Sequence, residues 1–100
     1  YKFWSTASIM GAFYEILNTS SNWLIKKGIN KKIAKNYIAE LFLSLSQDAA
    51  NKQSKGFKKL VADSQTPKGL NMQVLKELQK GKFYSKFLKA LDNVNKRVSK

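Results

Sequence analysis

Apolar residues recur along this chain at three- and four-residue intervals and nowhere alternate strictly with polar ones, which predicts helices and no strands. From Lys2 to about Lys27 the sevenfold series Phe3, Met10, Leu17 and Leu24 marks one stripe. Phe13, Ile16 and Trp23 lie close to it, and Ile9, Tyr14 and Ile25 widen it. A helix apolar on more than one face needs more than one partner to cover it. Ser5, Ala7, Ser8, Gly11 and Ala12 would let another backbone approach its first half closely. Gly28 reads as the C-terminal cap, with Lys26 and Lys27 placed where the helix dipole favours cations.

Asn30 is a suitable N-cap for a second long helix over about 31–52. Its stripe of Ile33, Ala34, Tyr37, Ile38, Leu41, Phe42, Leu45 and Ala49 is the strongest periodic signal in the chain. A short helix over about 55–63 follows, with Phe57, Leu60 and Val61 as its apolar face. A fourth over about 70–80 would turn Leu70, Val74, Leu75 and Leu78 inward, and Gly81 ends it. The last, over about 82–98, carries Tyr84, Phe87, Leu88, Leu91, Val94 and Val98 on one side. The fold class is all-α, one domain of five helices, without internal repeats or low-complexity segments.

Composition narrows the chemistry. One hundred residues make about one domain, and at 43% apolar with twelve aromatics the chain can build a core. A chain this short still buries a modest share of its surface, so a partner surface would help it. Cysteine and histidine are both absent, which removes disulfides, thiolate chemistry and the side chain best suited to proton transfer near neutral pH. The acidic residues Glu15, Glu40, Asp48, Asp63, Glu77 and Asp92 are scattered, so neither a metal site nor a carboxylate dyad is expected. The net charge of +13 invites a nucleic-acid reading, but Arg97 is the one arginine among nineteen basic residues. Phosphate and guanine recognition favours arginine's planar fork, so solvated lysines are the expectation. No apolar run is long enough to span a bilayer, and no membrane partner is expected. An opening of "YKFWSTASIM" reads as the interior of a longer protein.

The stretch "SQTPKGLN" at 64–71 holds the single proline. Thr66, Pro67, Lys68 and Gly69 fit a type I turn with proline second and glycine fourth. Proline also disfavours helix at Thr66, so the third helix ends by then. The first N–H groups of the next helix lack intrahelical partners and sit at its positive dipole end, which suits a carboxylate or phosphate. Lys68 adds charge there, and Thr66 and Asn71 offer hydrogen-bonding side chains. By itself such a segment reads first as a connector whose polar groups cap two helices, since every helical domain has such connectors and few bind anything.

The run "TPKGLNMQVLKELQKGKFYSKFLKALDNVNKR" resembles the C-terminal domain of pyrroline-5-carboxylate reductases. It matches that family's S-P-G-G-T-T-type loop, its L-x-x-L-x-x-G-x-F continuation and its last helix without a gap. "KKGINKKIAKNYIAELFLSLSQDAA" is similar, more weakly, to the family's K-L-G-L-P-x-x-x-A stretch between the two long helices. Of the family's opening G-S-G-P-A-Y, placed on Ala7 to Ala12, Ser8 is kept.

The resemblance implies a cytoplasmic, NAD(P)H-dependent oxidoreductase of proline biosynthesis that reduces a cyclic imino acid. Its N-terminal Rossmann domain, expected outside this chain, binds the cofactor. Its helical domain interlocks with a second copy in a homodimer. The resemblance further implies that Thr66, Pro67, Lys68, Gly69, Leu70 and Asn71 bind the small carboxylate substrate, through the amides of Gly69, Leu70 and Asn71. Asn71 stands where the family has a threonine whose hydroxyl can bond the substrate's ring nitrogen, which makes it the one catalytic candidate. Lys68 replaces a glycine. No cofactor or metal is expected in this chain, and the isolated domain is expected to be inactive.

Phe3, Trp4, Phe13, Tyr14 and Trp23 read as core or oligomer interface in preference to a base-stacking platform. "NKQSKGFKK" at 51–59 reads as a solvated turn, and "NVNKRVSK" as a solvated helix end. A lysine-rich nucleic-acid-binding module is the competing interpretation, and an inactive dimeric relative the third.

Overall fold

The computed structural model of the chain describes residues 2–65 and 69–99. Six α-helices and a 3-10 turn account for the described chain: α1 Lys2–Ala7, α2 Met10–Lys26, α3 Lys31–Asn51, the turn Gln53–Lys55, α4 Phe57–Asp63, α5 Leu70–Lys80 and α6 Phe83–Val98. The all-α, five-helix expectation holds, with its first helix interrupted at Ser8 and Ile9 and so present as α1 and α2. The cause is local. The Ser8 N–H is shared between the carbonyls of Trp4 (3.1 Å) and Ser5 (3.3 Å). The Ser8 hydroxyl donates to Trp4 O as well, and the Thr6 hydroxyl to Phe3 O. Hydroxyls that compete for helix carbonyls bend or break helices.

The chain divides into two compact units, Met10–Leu60 and Tyr1–Ile9 with Val61–Lys100. The first is an antiparallel hairpin of α2 and α3. Its turn is specified at every backbone position. Gly28 takes φ +98, its N–H bonds Ile25 O, and the N–H of Ile29 reaches back to Leu24 O, both at 3.0 Å. That paired pattern closes a helix through a left-handed residue, the conformation glycine adopts without penalty. Asn30 then opens α3, its side chain accepting from the N–H groups of Lys32 (2.9 Å) and Ile33 (3.3 Å).

Phe13 and Phe42 meet edge to face at 6.1 Å, which sets the register of the hairpin. The same register brings Ser21 level with Ala34. Ser21 is buried, and its hydroxyl is satisfied by Asn18 O at 3.2 Å. Two small residues facing each other let the helices approach closely. Ala34 (0% exposed) and Ile38 (6%) form the fully buried apolar core among the described residues. The α3 stripe is therefore split. Ala34 and Ile38 are buried and Leu41, Phe42 and Ala49 half-buried, while Ile33, Tyr37 and Leu45 stay exposed. One helix can cover only part of so wide a stripe.

In the second unit α6 packs against both α1 and α5. Ser5 is buried there and its hydroxyl lies 3.4 Å from Asn95 Oδ1. Leu91, Val94 and Val98 are half-buried as expected, but Tyr84, Phe87 and Leu88 are exposed. Leu75 is half-buried, whereas Leu70, Val74 and Leu78 are exposed, contrary to the inward positions expected for them. Short helices with few neighbours leave the outer half of each stripe uncovered.

Gly81 ends α5 as expected, but with φ −77, so it is not the left-handed residue of this turn. Lys82 is, at φ 61 and ψ 29. A side chain in that region costs about 1–2 kcal/mol. Lys82→Gly is accordingly expected to raise stability by about 1 kcal/mol, read as a higher urea midpoint with an unchanged slope. A lower midpoint would show that the lysine side chain contributes more than its backbone costs.

Candidate functional site

The segment between α4 and α5 is built from two braced ends. At the first end, Val61 O accepts three donors: the Ser64 N–H at 3.3 Å, the Ser64 hydroxyl at 2.6 Å and the Gln65 side-chain amide at 3.0 Å. The last carbonyls of a helix have no partners of their own, and two side chains supply them here. At the second end, Gly69 takes φ 69 and ψ 20 immediately before α5. A Cβ at Gly69 would meet nothing within 4 Å, so the demand for glycine is conformational and not steric.

The Asn71 side-chain amide joins the two ends, donating to Ser64 O at 2.6 Å across seven residues of sequence. The asparagine thus has a structural task that the sequence does not announce. One Nδ2 hydrogen makes the brace, and the side chain keeps a second N–H donor and the Oδ1 acceptor.

Gly69 O takes the N–H of Gln73 at 2.9 Å, the first hydrogen bond of the helix. The N–H groups of Leu70, Asn71 and Met72 precede it and have no acceptor within the helix. No side chain caps this end, and no acidic residue stands in the first turn. An anion placed there would meet backbone donors and the positive dipole end with no competing carboxylate.

Of the expected site residues, Gly69, Leu70 and Asn71 come together at this helix start. Thr66, Pro67 and Lys68, and with them three-quarters of the expected type I turn, lie outside the described residues. Ser64 and Gln65 were not singled out by sequence reasoning. The signal was present, since a serine just after a helix commonly bonds backward to that helix.

An open depression in the same unit is lined by Val61, Leu75, Gln79, Tyr84 and Ser85. Among the described residues no cluster of three potential metal ligands occurs, and no helix is long and apolar enough to cross a membrane.

A sequence profile described as pyrroline-5-carboxylate reductase dimerisation matches residues 5–100. No curated protein and no solved structure shows significant similarity to the chain.

Proposed function

Because the chain belongs to the pyrroline-5-carboxylate reductase dimerisation family, we propose that it interlocks with a second copy and presents the α5 start to the carboxylate of a cyclic imino acid. The observation that carries the first half is the uncovered apolar surface. Tyr14 on α2, Tyr37 and Leu45 on α3 and Leu88 on α6 are each more than half exposed. Large apolar side chains left exposed in each of the two units favour association with a partner surface.

For the second half, the amides of Gly69, Leu70 and Asn71 hold the substrate carboxylate. Thr66, Pro67 and Lys68 are assigned to the same site from the family resemblance, Lys68 contributing positive charge. Asn71 acts twice, bracing the loop through Nδ2 and hydrogen-bonding the ring nitrogen of the substrate. With one Nδ2 hydrogen bonded to Ser64 O, the side chain keeps a second N–H and its Oδ1, so it donates or accepts as a threonine hydroxyl does.

The described residues include no strand and no glycine-rich phosphate turn, so they do not fit a dinucleotide. In this reading the NAD(P)H that supplies the hydride is bound by a separate N-terminal Rossmann domain of a cytoplasmic homodimeric enzyme. This chain contributes binding and orientation.

Kinetics of the full-length protein test the site. Asn71→Ala removes a hydrogen bond worth about 1 kcal/mol and loosens the loop. The substrate KM is expected to rise about tenfold, with the KM for the nicotinamide cofactor within twofold. Gly69→Val, which forces a β-branched side chain into the left-handed region, is expected to act in the same direction. Both variants retaining parental substrate KM would remove this segment from the site.

A further inference from the structure

The turn joining α2 to α3 carries charge that nothing around it balances. Between Glu15 and Glu40 the chain has no carboxylate, and within ten residues of that span it has Lys26, Lys27, Lys31, Lys32 and Lys35. The tight turn of Gly28, Ile29 and Asn30 holds these lysines on either side of a single short connection. All five are exposed. None makes an ion pair within the described residues, where Lys52 has Asp48 at 3.0 Å.

On the α3 side of the turn their placement also works against the isolated fold. Lys31 and Lys32 occupy the first turn of α3 and Lys35 follows directly, at the positive end of the dipole, with no acidic residue in that turn. Cations at a helix N-terminus are disfavoured, and Lys31 and Lys35 are like charges four residues apart. An anionic partner offsets both effects with attractive terms of its own.

Apolar side chains stand among these charges. Trp23, Ile29 and Ile33 are 59%, 41% and 63% exposed. The hairpin register puts Trp23 level with Ile33, and Lys27 Nζ lies 5.5 Å from the Trp23 ring centroid. Ile33 and Lys32, with Lys35 and Asn36, line one open depression.

We propose that this hairpin tip docks on an anionic phospholipid surface. The lysine ammonium groups meet the headgroup phosphates. Trp23, Ile29 and Ile33 enter the boundary between headgroups and acyl chains, where indole and aliphatic side chains are favoured. Clusters of four to eight basic residues beside apolar anchors are the usual form of such contacts, and a surface contact needs no membrane span. A nucleic acid would also meet the lysines. It would gain nothing from two exposed isoleucines, and the tip has no arginine to read a base.

The test uses the full-length protein and sedimentation with sucrose-loaded vesicles. Vesicles containing about 30% phosphatidylglycerol in phosphatidylcholine are expected to carry the protein down at 100 mM salt. Pure phosphatidylcholine vesicles are not, and 500 mM salt is expected to release it, because exposed charge interactions are screened. Lys31→Glu with Lys32→Glu is expected to weaken vesicle binding at least tenfold. It should at the same time raise the melting temperature, since glutamates suit that helix start; the melting curve also shows that the variant folds. Lys55→Glu with Lys58→Glu makes the same change in net charge elsewhere and is expected to stay within twofold of the parent. Ile33→Ser is expected to weaken binding several-fold without altering its salt dependence. Equal losses in the two charge-reversed pairs would reduce the effect to net charge and overturn the assignment. So would the absence of binding to the anionic vesicles, or a tighter, salt-sensitive complex with duplex DNA.

Discussion

Ile38→Asp is expected to abolish the cooperative unfolding transition of this domain. Ile38 is 6% exposed on the face of α3 that meets α2, beside Leu17 and Ser21 at one open depression. Lys35 lines the same depression one turn away, but it is exposed, and a solvated ammonium offsets only part of the cost of a carboxylate at a buried position. Burying an isolated charge costs several kcal/mol even after relaxation. A 100-residue domain has about 5–15 kcal/mol of stability to lose, and Ala34 is the one other fully buried apolar residue among those described. Loss of the helical circular-dichroism signal at 25 °C is the readout. Ile38→Val is the control and is expected to cost about 1 kcal/mol. An Ile38→Asp domain that melts cooperatively near the parental temperature would show that the α2–α3 interface is not the core of its unit.

The second large effect concerns association. Light scattering on the domain is expected to give about twice its 11.4 kDa at micromolar concentration. Tyr14→Asp combined with Leu45→Asp is expected to return it to monomer. Both side chains are more than half exposed, at the end of the hairpin remote from its turn. Each aspartate removes apolar contact and introduces a charge that an apolar interface cannot solvate. Truncated anchors at interface centres cost about 2 kcal/mol or more apiece, so the pair is expected to weaken the dimer about a thousandfold. A parental domain that is monomeric and well folded at these concentrations would remove dimerisation through this surface. A double variant that remains dimeric would move the interface elsewhere on the helices.

Much of this fold is legible in the sequence because it rests on local chemistry. Gly28 and Asn30 announce the α2–α3 turn, and both act as expected, one in the left-handed region and the other capping α3. The start of α5 at Leu70 and the end of α3 near residue 51 follow from turn residues and from where the apolar period stops. The candidate site is legible to the same depth. Glycine before a helix with no acidic first turn points to exposed amides, and Gly69 provides that arrangement. The bond from Asn71 to Ser64 was not legible, because an asparagine near a helix start has several local partners to choose from and sequence does not rank them. Lys82 in the left-handed region was hidden for a similar reason, since Gly81 beside it is the residue that would be expected there.

What the sequence by itself determined is the helical class and, apart from the break at Ser8 and Ile9, the approximate helix termini and turns, which follow from backbone preferences, caps and a period near 3.6 residues. What only the tertiary structure decided is which part of each stripe is covered. Ala34 and Ile38 are buried while Ile33 and Tyr37, on the same helix and in the same pattern, are not. Periodicity specifies that a face is apolar. How much of that face is removed from water depends on the width and register of the helix set against it, and that information belongs to residues distant in sequence.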